Sequence, residues 1–306
     1  MTTFVLRRVL ISVPVLWGVL TATFFGFRLI AGNPVDIILG TKGSAADRIR
    51  LYHELGLDRP LFSQYLDFLR GAIHFDFGAS YATRQPVWNE ISLRLPYTVE
   101  LALTAFVVAT LIGVVAGSVS ALFSRRSLGH TVTFVSVLGI SLPTYVLGTL
   151  LALVFGVDLH ILPVAGPGDA KNLVLPSVTL AVPLAAVTTR LVRASMLQVL
   201  GMEFVRTARA KGVRRSFIIF KHVLRNALVP VVTILGLILA NLLGGAIIVE
   251  NVFNWPGLGT LAVNAAATRD YPVIEGTVFF FAVVLISANL IVDVVYGLID
   301  PRIQHS

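Results

Sequence analysis

Six stretches of this chain, residues 9–27, 101–123, 131–157, 173–189, 226–249 and 276–292, run for 17 to 27 residues without one Asp, Glu, Lys or Arg. A helix needs about 20 apolar residues to cross the hydrocarbon core of a bilayer. These runs are too long for buried strands, and they lack the period-two alternation of a membrane β-barrel. In lipid, every backbone N–H and C=O must find its partner inside the same helix. The expectation is an all-α integral membrane protein with six transmembrane helices. Composition agrees. Charged residues make up 13% of the 306, about half the share of a soluble domain, and the mean hydropathy is +0.85. With no cysteine, disulfides, thiolate metal sites and cysteine nucleophiles are excluded. Arg7 and Arg8 precede the first run as they would in a signal peptide. That run is long for a signal sequence and no A-x-A cleavage site follows, so an uncleaved anchor helix is expected.

Lys and Arg concentrate in cytoplasmic loops, and they set the orientation. Arg7 and Arg8 flank the first span, and Arg125 and Arg126 lie between spans two and three. Residues 190–225, between spans four and five, hold nine Lys or Arg and one acid, Glu203. The two short loops on the other side hold one base each, Lys171 and Arg269, beside the acids Asp158, Asp169, Glu250 and Asp270. Both termini and the basic loops are therefore expected in the cytoplasm.

The chain divides on this reading into residues 1–30 (N-terminus and first helix), 31–97 (an external subdomain) and 98–306 (the core, with the cytoplasmic loop 190–225). The external segment has seven basic and seven acidic residues and carries helical signals. Ser44 is placed to cap a helix over 47–55 that Gly56 ends. Leu61, Tyr65, Phe68 and Leu69 recur at helical spacing after Pro60, as do Trp88, Ile91 and Leu95 after Pro86. Its aromatic content argues against a disordered loop.

In the cytoplasmic loop, residues 203–212 read Glu-Phe-Val-Arg-Thr-Ala-Arg-Ala-Lys-Gly. Good helix formers, an acid at the start, a base near the end and a closing glycine predict a short helix. A second amphipathic helix is expected after it, with Phe217, Phe220, Leu224 and Leu228 on one face and Arg214, Lys221 and Arg225 on the other. Two readings fit the short helix: a solvated interfacial element, or a rigid knob gripped by an intracellular partner.

The residues here resemble a family. Ala208-Arg209-Ala210-Lys211-Gly212 looks like the cytoplasmic "EAA" loop of ABC-importer permeases, although of that general pattern only Ala208 and Gly212 are kept. The match to one branch is closer. "RTARAKG" followed by "HVLRNALVP" is similar to the dipeptide, oligopeptide and nickel importer permeases. So are "LGLDRPLFSQY", "DFGASYATRQPV", "RLPYTVELAL", "GISLPTY", "VENVFNWPGLGTLAVNAAATRDYPVIEG" and "DVVYGLIDPRI". The long segment after the first span resembles the first of the two unequal permease subunits in this branch.

The resemblance implies the type I ABC importer permease fold, a place in the bacterial inner membrane, and half of a pore for di- or oligopeptides. It implies a second, non-identical permease, two cytoplasmic ATPases that carry ATP and magnesium, and an extracytoplasmic peptide-binding protein. Coupling to an ATPase falls to Glu203, Phe204, Arg206, Thr207, Ala208, Arg209, Ala210, Lys211 and Gly212. No cofactor, metal site or catalytic residue is expected in the chain. No G-x-x-x-x-G-K-[ST] loop is present, and His130, His160 and His222 do not cluster in sequence.

Polar groups inside spans are costly and often functional. Asn241 and Asn289 are candidates for the pathway or for contact with the second permease, with interhelical hydrogen bonding as the competing reading. Glu250 and Glu275, at the outer ends of spans five and six, could meet a peptide ammonium group, or could be solvated helix ends. Gly244 and Gly245 are expected to break span five for packing or for a bend beside the pathway. Gly113 and Gly117 read as a packing motif, and Pro143 and Pro183 as kinks in spans three and four. Cargo stays open between peptides, nickel complexes, glutathione and haem. An ion-coupled transporter would want charges deep in the spans, and the six runs hold none.

Overall fold

The computed structural model describes the backbone of residues 2–30, 32–40 and 44–299. Within these it describes all side chains except those of 2–6, 30, 233, 237, 240, 241, 243–245 and 291–299. The described chain is almost wholly helical. Among the described residues five helices are long and apolar enough to cross a membrane, and six if a helix pair bent by 102° is counted as one span. The chain falls into two units, Met1–Thr98 with Pro256–Leu290, and Val99–Trp255 with Ile291–Ser306.

The first unit begins with α1 (Thr2–Ile30), α2 (Pro34–Leu39), α3 (Ala45–Glu54) and α4 (Leu61–Ile73). Local chemistry sets these boundaries. The Asn33 side chain accepts from the Val35 N–H at 3.0 Å, with Pro34 in the first turn of α2. Ser44 and Asp47 form a reciprocal capping box at α3, and these hydrogen bonds hold the Asp47 carboxyl below its usual range. Gly56, at φ +65°, turns the chain out of α3. Pro60 precedes α4.

The helix expected after Pro86 is not separate. It is the start of α5 (Val87–Leu122), which continues through Pro96 as one 36-residue helix. The loop between spans five and six holds another helix, α12 (Leu258–Thr268), which leads into α13 (Tyr271–Ile299). A core of Val87, Ile91, Leu258, Leu261, Tyr271 and Ile274 joins these elements. Phe24 of α1, fully buried, stacks on Phe68 at 5.6 Å and meets Tyr65 edge-on at 5.2 Å. The buried Asp270 carboxylate accepts from Ser80 Oγ at 2.6 Å and from the N–H groups of Tyr81 and Ala82 at 3.0 Å. Burial pushes the Tyr81 phenol above its ordinary range.

The second unit contains most of α5, then α6 (Ser127–Ser141), α7 (Thr144–Leu151), α8 (Ala170–Leu200), α9 (Glu203–Ala210), α10 (Arg215–Phe217) and α11 (Arg225–Val252). Pro143 does more than kink the third span. Leu142 leaves the helical region at φ −80°, ψ 122°, as a residue before proline prefers, and α6 and α7 meet at 102°. Pro183, in contrast, lies within an uninterrupted α8. The stretch Ile218–Leu224 is π-helical and runs directly into α11. The expected second amphipathic helix is therefore the start of the fifth membrane helix, because no breaker separates Phe217 from Pro230. Gly244 and Gly245 do not break α11.

Small residues bring α5 against α8. A Cβ on Gly113 would lie 2.5 Å from Thr188 Cβ, and one on Gly117 would lie 2.6 Å from Thr189 O. Lipid tails are as apolar as leucine, so close packing of this kind drives helix association in a membrane. Gly117→Val forces backbone apart and is expected to destabilise the chain by about 1–3 kcal/mol, read as a lower unfolding midpoint in detergent. An unchanged midpoint would contradict the packing.

Candidate functional site

The connection between α8 and α10 is shorter than residues 190–225, because α8 continues to Leu200. What remains is built around α9. Met202 enters it with extended backbone, φ −73° and ψ 149°. Glu203 occupies the first turn and Arg209 the last, each at the end of the helix dipole that favours its charge. The exit is a Schellman turn. Gly212 is left-handed at φ +71°. Its N–H donates to Arg209 O at 3.0 Å, and the Val213 N–H donates to Ala208 O at 3.2 Å.

The helix has two unlike faces. Val205 is fully buried and Ala208, one turn on, is partly buried. Both pack into one apolar cluster with Val192, Met196 and Val199 of α8, with Ile218 and Val223 of the π-helical stretch, and with Ala227 and Val231 of α11. The other face is open. Glu203, Phe204, Arg206, Thr207, Arg209, Ala210, Lys211 and Gly212 are all exposed. Arg206 Nη1 lies 3.1 Å from Glu203 Oε1, and Thr207 Oγ1 donates to Glu203 O at 3.0 Å. Exposed pairs of this kind contribute little to stability and leave both charges free to meet another surface. Sequence reasoning passed over Val205. The signal was present in its spacing, since Val205 and Ala208 form one stripe and the charged residues form the other.

The remaining candidates belong to both units. Glu250, near the end of α11, is fully buried, and its carbonyl accepts the Trp255 N–H at 2.8 Å. Glu275, in the first turns of α13, is paired with Arg28 of α1, with 8% and 10% of their side chains exposed. Neither glutamate is a solvated helix end. Arg28 also lies over the Phe24 ring at 3.5 Å and donates from Nε to Gln64 Oε1 at 3.3 Å. Asn289 is exposed on α13. The backbone of Asn241, Gly244 and Gly245 is helical, and their side-chain surroundings lie outside the described residues. No group of three His, Cys, Asp or Glu suited to a metal occurs among the described residues.

Comparison with known proteins agrees with this architecture. Residues 96–305 match the family described as binding-protein-dependent transport system inner membrane component, and residues 1–102 match the description of its N-terminal region. The chain is 41% identical over 305 residues to the glutathione transport system permease protein GsiC of Escherichia coli (strain K12), covering 100% of both chains. The same protein of Shigella flexneri serotype 5b (strain 8401) matches at 41% over 305 residues, again 100% of each. Among solved structures, the inward-facing MetNI methionine ABC transporter superposes with a TM-score of 0.53 at 19% identity, over 67% of this chain and 95% of that one. An amino acid ABC transporter crystallised with histidines gives 0.52 at 16%, over 67% and 92%. At such identities these two structures speak to the fold alone.

Proposed function

The chain belongs to the family of binding-protein-dependent transport system inner membrane components, and on that premise we propose that its cargo is a short peptide, glutathione included. It is a multi-pass inner-membrane permease subunit of an ABC importer, and not itself an enzyme. The observation that carries the cargo reading is the full-length 41% identity to proteins named for glutathione transport. Glutathione is a tripeptide, so that name and the likeness to dipeptide and oligopeptide permeases point to one ligand chemistry, a small chain with an ammonium and carboxylates.

The proposed assembly contains a second, non-identical permease, two cytoplasmic ATPases and an extracytoplasmic binding protein. Residues 31–97 form its external subdomain and 98–306 its core. Both termini, residues 124–126 and α9 face the cytoplasm, supported by the excess of Lys and Arg there. The exposed face of α9, from Glu203 to Gly212, docks on an ATPase. Arg206, Arg209 and Lys211 meet acids on that surface, and Ala210 keeps the contact slim. The buried face supports the transmission of movement, because Val205 and Ala208 share one cluster with α8 and α11. A well-packed cluster moves as a body instead of deforming. Displacement of α9 by closing ATPases therefore tilts two membrane helices together. ATP shifts the inward-open to outward-open balance only by binding the two states differently. Asn241, Gly244, Gly245 and Asn289 are proposed to lie along the path or against the second permease, whereas Glu250 and Glu275, enclosed within the chain, are not available to either.

The test is purification of the full chain from native membranes in mild detergent, with hydrolysis assayed on the product. The reading expects a second permease and an ATPase in the complex. It also expects hydrolysis stimulated by the binding protein loaded with glutathione or a dipeptide. Stimulation by a loaded nickel complex alone would overturn the cargo, and recovery of the chain without any ATPase would overturn the coupling.

A further inference from the structure

Beside α9, the second unit holds a cavity of about 740 Å³. Four arginines line it: Arg125 and Arg126 from the α5–α6 connector, Arg209 from α9, and Arg215 at the start of α10. No Asp or Glu lines it. None of the four has an ion-pair partner among the described residues. The Arg126 guanidinium lies over the Phe123 ring at 5.6 Å. Much of the remaining wall is apolar, with Leu122, Leu197 and Ile219. Leu122 is also the last residue of the apolar span Val87–Leu122. Unpaired cations thus meet the end of the hydrocarbon-crossing segment in one concave site.

We propose that this cavity binds an anionic phospholipid, its phosphodiester against Arg125, Arg126 and Arg215, with Arg209 at the rim left for the ATPase, and its first acyl carbons along Leu122 and Leu197. The proposal rests on the reading above that this end of the bundle faces the cytoplasm, where the leaflet presents acidic headgroups and basic interhelical pockets collect them. A phosphodiester offers two free oxygens that accept forked guanidinium hydrogen bonds. A protein carboxylate would satisfy the arginines and leave the apolar wall uncovered, and a free phosphate would do the same. A lipid covers both. Because Arg125 and Arg215 sit on different elements, one headgroup ties the α5–α6 connector to the start of α10, close behind the proposed coupling element.

The experiment is native mass spectrometry of the full chain with its co-purifying subunits, titrated with dioleoylphosphatidylglycerol, dioleoylphosphatidylcholine and inorganic phosphate. Wild type is expected to prefer the anionic lipid by about ten-fold. Lys171→Gln, a charge removed outside the cavity, should keep that preference. The Arg125→Gln/Arg126→Gln double variant should reduce it to about two-fold or less. Equal preference in wild type and double variant would overturn the site. So would displacement of the lipid by millimolar phosphate, which would assign it to a free anion. Loss of lipid on ATPase binding would assign it to protein docking and likewise overturn the proposal. Absence of an ATPase from the preparation would count against the coupling reading, while the titration would still report on the lipid.

Discussion

Gly212→Val is expected to lower cargo uptake about ten-fold while the amount of folded chain in the membrane stays near wild type. Gly212 is left-handed at φ +71°, a region that costs a residue with a Cβ about 1–2 kcal/mol, and a β-branched residue more. That penalty is worth roughly a factor of ten in the population of the native turn. A Cβ there meets nothing within 4 Å, so the damage is confined to the direction in which the chain leaves α9. The Schellman hydrogen bonds from Gly212 and Val213 to Arg209 and Ala208 are lost with it. Basal hydrolysis should persist, since the ATP sites lie on other chains in the proposed assembly. Gly212→Asn should restore much of the uptake, because asparagine tolerates the left-handed region. Uptake assays on membranes matched for chain content check this. Wild-type uptake by the valine protein would show that the turn does not matter to coupling.

Arg28→Ala should be among the most damaging single changes in the first unit. Arg28 is the partner of Glu275, and both side chains are nearly enclosed. Removing one member of a buried pair leaves the other charge uncompensated, which costs about 3–5 kcal/mol. The change also removes the guanidinium from the face of Phe24 and from Gln64. Replacing both charges, as Arg28→Met/Glu275→Leu, should recover much of the loss, since well-packed apolar pairs of similar volume often equal a buried ion pair. Thermal unfolding in detergent compares the three proteins. If the double variant is no more stable than Arg28→Ala, the pair is not what holds α1 to α13.

The ease of reading each feature followed its range in sequence. Ser44 with Asp47, Pro60 before α4, and Gly212 after α9 act within a turn of the backbone, and all three are visible as residue patterns. The apolar runs are likewise a local property, and they identified the membrane helices. Pro143 was recognisable as a disturbance. A proline in the sequence does not distinguish a mild kink from the 102° break between α6 and α7, whereas Pro183 is absorbed into α8. The difference lies in what packs around each residue. Helix α12 was not anticipated, because an 11-residue apolar segment with an internal Asn264 reads equally as a loop. Contacts between distant residues carried no sequence signal at all. Glu275 shows no sign of Arg28, 247 positions away, nor Asp270 of Ser80, 190 away. The stretch 203–212 was legible as a short helix with exposed charges. Its attachment through Val205 became evident only once α8 and α11 were in place around it.

The central claim is that α9 is the contact through which an ATPase drives this permease. The chain contains no cysteine, so Thr207→Cys on the exposed face of α9 gives a single attachment point for a photo-crosslinker. Leu111→Cys, on the membrane-spanning part of α5 and 62% exposed, gives the control. The account predicts that irradiation of native membranes joins the residue 207 label to an ATPase chain, with a yield that changes on adding ATP, and that the residue 111 label yields no such product. A label at residue 207 that never captures an ATPase, in membranes where cargo uptake is intact, would contradict it.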